Sequence, residues 1–506
     1  MSRFKPSPGQ PSITRAATAL QSDPLKPEAR LLILPPAEHN PAVAQPVRRN
    51  ILQSIGYFAL VLYVFSWASY INEISLAYLG AKPYISMICG PIAVLALLAG
   101  GSMLRGLKTR VGMYWMALLL WMVIGAPFSY WKSDTLKNLA DYGPKVHVIF
   151  FLLCAALFTV KDCRLLVYAN LAGGFILVLL CALVGRIDAS RFVLPSGSFL
   201  NPNALALQLL VAACLFIMLV MHRNIIIRVI GLVGIGTSLP FILKTGSRGS
   251  FVAIVAVLFA LFFIVQRTAR LKMVIAVIVF TVPALLVVPP AALNRIVNIA
   301  IKSEQPTDDE TYAVASQLSR QELLKDSLIY TATHPLFGVG MGEFGAAVWG
   351  DGEKRGVRTA WAGTHNSFTQ ISAECGIPAL IFYTAVVFLC IRMNRRLYKA
   401  TRGDPSMQDI SSIALTLYLT MVAFAVNTFF FHTAYGYYLS TLAGLSVALQ
   451  FASAGRLSNA ATALAAGAAE SLPVAQTVAP LPPRPAPEAA SEVASFRFPG
   501  AGPKWR

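Results

Sequence analysis

Trp361-Ala-Gly-Thr-His-Asn-Ser367 closes a long polar stretch that begins near Pro290, and the apolar run Phe368 to Ile391 starts at the very next residue. Elsewhere the chain is a succession of apolar runs of about 16 to 24 residues, the length that crosses a bilayer as a helix. A single large extramembrane segment ending in a histidine at a helix mouth is where chemistry on a membrane-borne substrate is expected. The remaining spans read as the scaffold that presents it.

Composition agrees with that reading. Of 506 residues, 56% are hydrophobic and 13% charged, whereas a soluble domain carries about a quarter charged residues. The formal net charge of +19 invites a nucleic-acid reading, but the basic residues fall in short clusters between apolar runs and form no continuous stripe. Membrane orientation accounts for them, with attraction to anionic membrane lipids secondary, and no nucleic-acid partner is expected.

The apolar pattern predicts an all-α polytopic membrane protein of about twelve transmembrane helices, with the large loop between the ninth and tenth. The expected organisation is a tail over 1–50, nine spans over 51–289, the loop over 290–367, three spans over 368–452 and an Ala- and Pro-rich tail over 453–506. The ninth span is expected from Met273 to Val288. Both tails are expected to be disordered. Residues before Arg48 contain no long apolar run, so the first span is expected to act as a signal anchor.

Arg48, Arg49, Arg105, Lys108, Arg110, Lys161, Arg164, Arg223, Arg228, Arg267, Arg270 and the run Arg392 to Arg402 alternate so as to share one side of the membrane. That side is then cytoplasmic, with both termini on it. The loop, the turn Lys244 to Arg248 and the segment Arg186 to Asn203 are expected together on the opposite side. An amphipathic stretch over Trp131 to Tyr142, also on that side, is expected to lie among the headgroups and border a groove for a lipid chain. The seven cysteines contain no C-x-x-C pair and read as small packing residues. No metal site or cofactor is expected.

Among candidate site residues His365 ranks first, because an imidazole accepts a proton near neutral pH without a large shift in its pKa. Its plain alternative is a loop histidine beside a helix capped by Thr364 or Asn366. Arg248, in Lys244-Thr-Gly-Ser-Arg-Gly-Ser250, carries a guanidinium suited to phosphate oxygens, next to glycines that allow close backbone approach. Arg320 is a second phosphate contact to consider. Gly338-Val-Gly340-Met-Gly342 reads as a backbone turn, not a dinucleotide fingerprint, since no strand precedes it. His334 precedes Pro335 and reads as structural. In Asn201-Pro-Asn203 an asparagine caps the next span and Pro202 starts it, with Arg186 and Arg191 nearby.

Taken together, Phe199-Leu-Asn-Pro-Asn-Ala204, Thr245-Gly-Ser-Arg-Gly249, His334-Pro-Leu-Phe-Gly-Val-Gly340, Thr364-His-Asn-Ser367 and Glu374-Cys-Gly-Ile-Pro378 resemble the O-antigen ligase and Wzy-type polymerase superfamily, in order and spacing, from about residue 50 to 450. The resemblance implies a metal-independent, inverting transferase in the bacterial inner membrane. It would move a glycan from undecaprenyl pyrophosphate to an acceptor hydroxyl, on a lipid A-core sugar or another glycan, at the periplasmic face. Carried over by position, His365 activates the acceptor, and Arg248 binds pyrophosphate. Arg320 is the loop arginine, although the aromatic that often follows it is missing from Gln321 to Ser327. Lys244, Arg191, Asn203, Asn366 and His334 are the further substrate-binding candidates. A polymerase differs only in its acceptor, a third member of the class transfers glycan to protein, and a lipid-linked oligosaccharide flippase is the reading from another class.

Overall fold

Polar caps mark where the helices begin. In the computed structural model, which describes residues 49–470 apart from 82, 189, 196, 267–269, 272–273, 276–277, 280–307 and 357–360, α1 (Ile51–Ala68) opens on a reciprocal capping box between Asn50 and Gln53. Thr159 and Asp162 form the same box at the head of α7 (Val160–Val184). Each box satisfies amides that the first helical turn leaves without partners. Between them lie α2 (Ile71–Leu79), α3 (Ile85–Ala99), α4 (Arg110–Gly125), α5 (Lys132–Tyr142) and α6 (Val148–Ala156). A π-helical turn over Gly143–His147 joins α5 to α6, so that Lys132–Ala156 is one apolar element.

After α7 the chain makes a small antiparallel hairpin, β1 (Arg186–Asp188) with β2 (Arg191–Val193), in which Ile187 pairs with Phe192. It continues as α8 (Pro202–Val220), α9 (Ile225–Lys244) and α10 (Arg248–Ile264). The polar segment contributes α11 (Asp308–Thr333) and α12 (Phe344–Lys354), and the chain returns to apolar helices in α13 (Ser367–Thr401), α14 (Gln408–Asn427) and α15 (Tyr437–Glu470). The described residues up to Ser458 form one compact unit.

Eight of the described elements are long and apolar enough to cross a membrane, and Ile85–Ala99 and Arg248–Ile264 are shorter apolar helices. The protein is therefore a mostly helical, multi-pass membrane protein. Of the twelve expected spans, two correspond to these shorter helices and the expected ninth lies largely outside the described residues. Two further differences are physical. The hairpin forms where the apolar pattern is too short to show a strand pair, and α15 runs past residue 452 to Glu470, through an alanine-rich stretch of high helix propensity.

Small residues bring the spans together. A Cβ on Gly173 of α7 would lie 2.6 Å from that of Ala68 at the end of α1, and one on Gly234 of α9 would lie 2.8 Å from the ring of Phe216 in α8. Close backbone approach of this kind replaces the hydrophobic drive that lipid does not provide. At one end of the bundle Arg49 pairs with Asp162 and donates to the Ala156 carbonyl, Arg105 donates to Leu157 O, and Arg456 pairs with Asp409.

At the other end the polar loop is built into the membrane domain through a break in α13. Gly376 has φ +86° and ψ 174°, which interrupts the helix two residues before Pro378. The backbone groups released there are taken up: Val339 N–H donates to Ala373 O, Gly340 N–H to Glu374 O, and Ile377 N–H to Pro335 O. Trp121 of α4 donates to both Leu336 O and Cys375 O. Glu374 itself is buried, its Oε2 accepting from Gly342 N–H at 2.9 Å and from the Tyr435 hydroxyl at 2.7 Å. Helix α5 packs under the same turn, with Asn138 donating to Met341 O, so the stretch expected among lipid headgroups has a protein partner.

Gly376→Ala places a Cβ 1.9 Å from Leu336 O on a left-handed backbone. It is expected to lower stability by about 2 kcal/mol or more and to expose the Pro335–Gly342 turn to protease. Thermal unfolding of the detergent-solubilised protein, with limited proteolysis, measures both; an unchanged melting temperature contradicts the assignment.

Candidate transfer site at the mouth of the bundle

Helix α9 ends at Lys244, the chain turns through Gly246 at φ +60°, and Ser247 caps α10, whose first residue is Arg248. This turn is clamped from both sides. Arg191 on β2 donates through Nε to the Thr245 carbonyl at 2.8 Å and through Nη2 to Asn203 Oδ1 at 2.9 Å. From the opposite side Asn427, at the end of α14, donates to Ser250 Oγ at 2.7 Å, and Ser250 donates to Ser247 Oγ. Gly249 makes room for Phe430: a Cβ there would lie 2.5 Å from the Phe430 Cβ. Arg248 is thus held half-buried at the start of a helix, where the helix dipole favours an anion.

The chain leaving α14 also anchors the histidine. Ser367 N–H donates to Thr428 O, its hydroxyl donates to Phe431 O at 2.9 Å, and that hydroxyl accepts from Thr433 N–H at 2.8 Å. Asn366 Oδ1 caps α13 by accepting from Phe368 and Thr369 amides. His365, immediately before this cap, has a left-handed backbone at φ +53°. Few non-glycine residues adopt that conformation unless their surroundings impose it. Segment 427–434 therefore ties the Arg248 turn and His365 to one end of the bundle.

A second imidazole stands beside the first. The rings of His365 and His432 are 4.9 Å apart between centroids and inclined at 78°, in an edge-to-face arrangement. The Nδ1 atoms of both are buried without a hydrogen-bond partner. Burial lowers His365 to a pKa of about 4, helped by His432 and then by the Arg320 charge. Burial and Arg320 also lower His432. Arg320, on α11, is thereby close enough to act electrostatically on both rings.

The other expected site residues occupy supporting positions. Arg191 and Asn203 hold the Thr245 turn, and Asn366 is a helix cap, the plain alternative considered for that position. Lys244 Nζ lies 5.8 Å from the centre of the Phe241 ring. His334 is exposed at the end of α11, bonded to the Thr333 hydroxyl at 3.0 Å and stacked on Tyr330. The structure thus brings together His365, Arg320 and His432, ties Arg248 to them through 427–434, and gives His334 different neighbours. His432 and Asn427 were missed because they lie in an otherwise unremarked stretch, Asn427-Thr-Phe-Phe-Phe-His432; a histidine between two late apolar runs was the available signal. Among the described residues no three His, Cys, Asp or Glu side chains are grouped to hold a metal ion.

The described residues form a multi-pass membrane protein with an arginine turn and a histidine pair at one mouth. Residues 233–384 match the family model Wzy_C, described as O-antigen ligase, and this supports placing the chain in the O-antigen ligase/Wzy superfamily, whose activity is of the glycan-transferase type. The match spans the Lys244–Arg248 turn, Arg320 and His365, and stops short of His432. No curated protein matches the chain.

Arg191→Ala leaves the Thr245 carbonyl and Asn203 without their charged donor and is expected to cost about 1.5–3 kcal/mol. Hydrogen exchange should quicken at residues 245–250 with little change at 428–434. Equal protection in variant and wild type contradicts the clamp.

Proposed function

We propose that the protein is an O-antigen ligase-like glycosyltransferase that moves a glycan from an undecaprenyl-pyrophosphate donor to an acceptor hydroxyl, of a lipid A-core sugar in the first instance. The observation that carries this reading is the tie through residues 427–434, which fixes the helix start at Arg248 and the half-buried His365 imidazole at the same mouth. The family match over 233–384 supports it.

In this mechanism Arg248 and Arg320 hold the pyrophosphate oxygens, while His365 accepts the proton of the attacking hydroxyl. The acceptor oxygen forms a new bond to the anomeric carbon from the face opposite the leaving group, and the bond from that carbon to the pyrophosphate oxygen breaks, with inversion. Undecaprenyl pyrophosphate departs with the electron pair. The guanidinium groups supply charge stabilisation where negative charge develops, so the step needs no metal ion. Burial keeps His365 neutral before substrate enters. An anionic donor nearby then favours the imidazolium form and strengthens the base as the site fills.

The active site is periplasmic in this reading, with both termini cytoplasmic and the chain in the inner membrane. The arginines gathered at the opposite end of the bundle, Arg49, Arg105 and Arg456, support that orientation. A Wzy-type polymerase uses the same site on a different acceptor.

Purified protein supplied with lipid-linked glycan and acceptor lipid, in the presence of EDTA, is expected to release undecaprenyl pyrophosphate. Arg248→Ala and His365→Ala should each reduce release on the order of a hundredfold or more while still inserting into the membrane. A single product shift marks a ligase and a ladder a polymerase; no release with a competent acceptor favours a flippase.

The pH profile provides a separate check. Because the neutral form of His365 persists down to its lowered pKa of about 4, kcat/KM, which reports the free enzyme, should stay level from pH 8 to 6. It should fall only well into the acid range. An acid limb in the ordinary histidine range contradicts the burial of a free, neutral His365.

A further inference from the structure

We propose that His432 is a positioning residue for His365, the two imidazoles acting as a unit in which His432 sets the orientation of the base toward the acceptor hydroxyl. The inference rests on the reading of His365 given above. Its basis is a shared anchor. Ser367 Oγ donates to the carbonyl of Phe431 and accepts from the amide of Thr433, the two residues that flank His432, and His365 lies two residues before that same serine. One side chain at the mouth of α13 therefore fixes the backbone on both sides of His432 and next to His365.

The rings are held as firmly as the backbone. A Cβ on Gly363 would lie 2.8 Å from His432 Nε2, so the imidazole of His432 rests directly on the backbone that leads into His365. The edge-to-face contact at 4.9 Å then leaves His365 little freedom to rotate. His365 also carries the backbone strain of a left-handed conformation, which persists only where neighbours impose it. Both Nδ1 atoms are buried and unpaired in the protein, so no hydrogen bond at Nδ1 orients either ring, and ring contact does. The charged or titratable groups acting on His365 are His432, from the chain after α14, and Arg320, from α11.

The test compares His365→Ala, His432→Ala, His432→Gln and His432→Phe in the release assay, with melting temperature recorded for each. His432→Phe keeps a ring over Gly363 and serves where His432→Ala fails to fold. His432→Phe and His432→Gln are expected to melt near wild type, to lower kcat about ten- to a hundredfold with little change in donor KM, and to move the acid limb of kcat/KM to higher pH. That movement is expected because a neighbour that disfavours protonation of His365 has been removed. Wild-type kcat in His432→Phe, or an unmoved acid limb, overturns the proposal and leaves His432 as packing alone. Full activity in His365→Ala instead removes the reading of the site on which the proposal stands, and is distinguishable from the first result.

Discussion

A helix crossing a membrane satisfies its backbone internally, and interrupting one leaves amides and carbonyls that must find partners where water is scarce. In this protein α13 is interrupted at Gly376, and the released groups are satisfied by a turn from the polar segment that precedes it, Pro335–Gly342. The loop is consequently part of the fold: its Gly338 approaches the α13 backbone more closely than any side chain permits, and its position is set by hydrogen bonds to a membrane helix. The buried Glu374 carboxylate extends the same junction to Gly342 and to Tyr435 beyond α14. Everything downstream of that junction, α12 and the return to the mouth of α13, inherits its placement.

The second constraint is the short chain between α14 and α15. Asn427 and Phe430 meet the start of α10, while Thr428, Phe431 and Thr433 bond to Ser367 at the start of α13. Helix starts attract anions, and a histidine ahead of one of them can exchange a proton. Under the proposed mechanism, linking two such starts would give leaving-group stabilisation and proton transfer one frame of reference, the kind of preorganisation on which electrostatic catalysis depends.

The electrostatics of the mouth follow from burial more than from pairing. Arg320 acts on both imidazoles, and each is kept in its neutral form by the cost of burying a charge. Neutral bases beside guanidinium groups are well matched to a substrate that carries its own negative charge. In the proposed reaction such a site would change its proton affinity when an anionic donor arrives, coupling binding to activation of the base.

The sequence by itself determined the membrane class, since runs of apolar residues can be buried only in lipid or in one another, and it singled out the Arg248 turn, Arg320 and His365 as candidates through residue chemistry and motif order. It also showed Asn201-Pro202 and Thr364-His-Asn366 as helix starts, because capping is local chemistry. The number and length of the spans were less legible, as a kinked or short helix has the same composition as a straight one. Tertiary structure alone decided that Arg191 and Asn203 clamp a turn, that Glu374 joins the loop to the chain after α14, and that His432 meets His365. Those contacts join residues far apart in the chain, and no local pattern encodes which two of them will share one mouth.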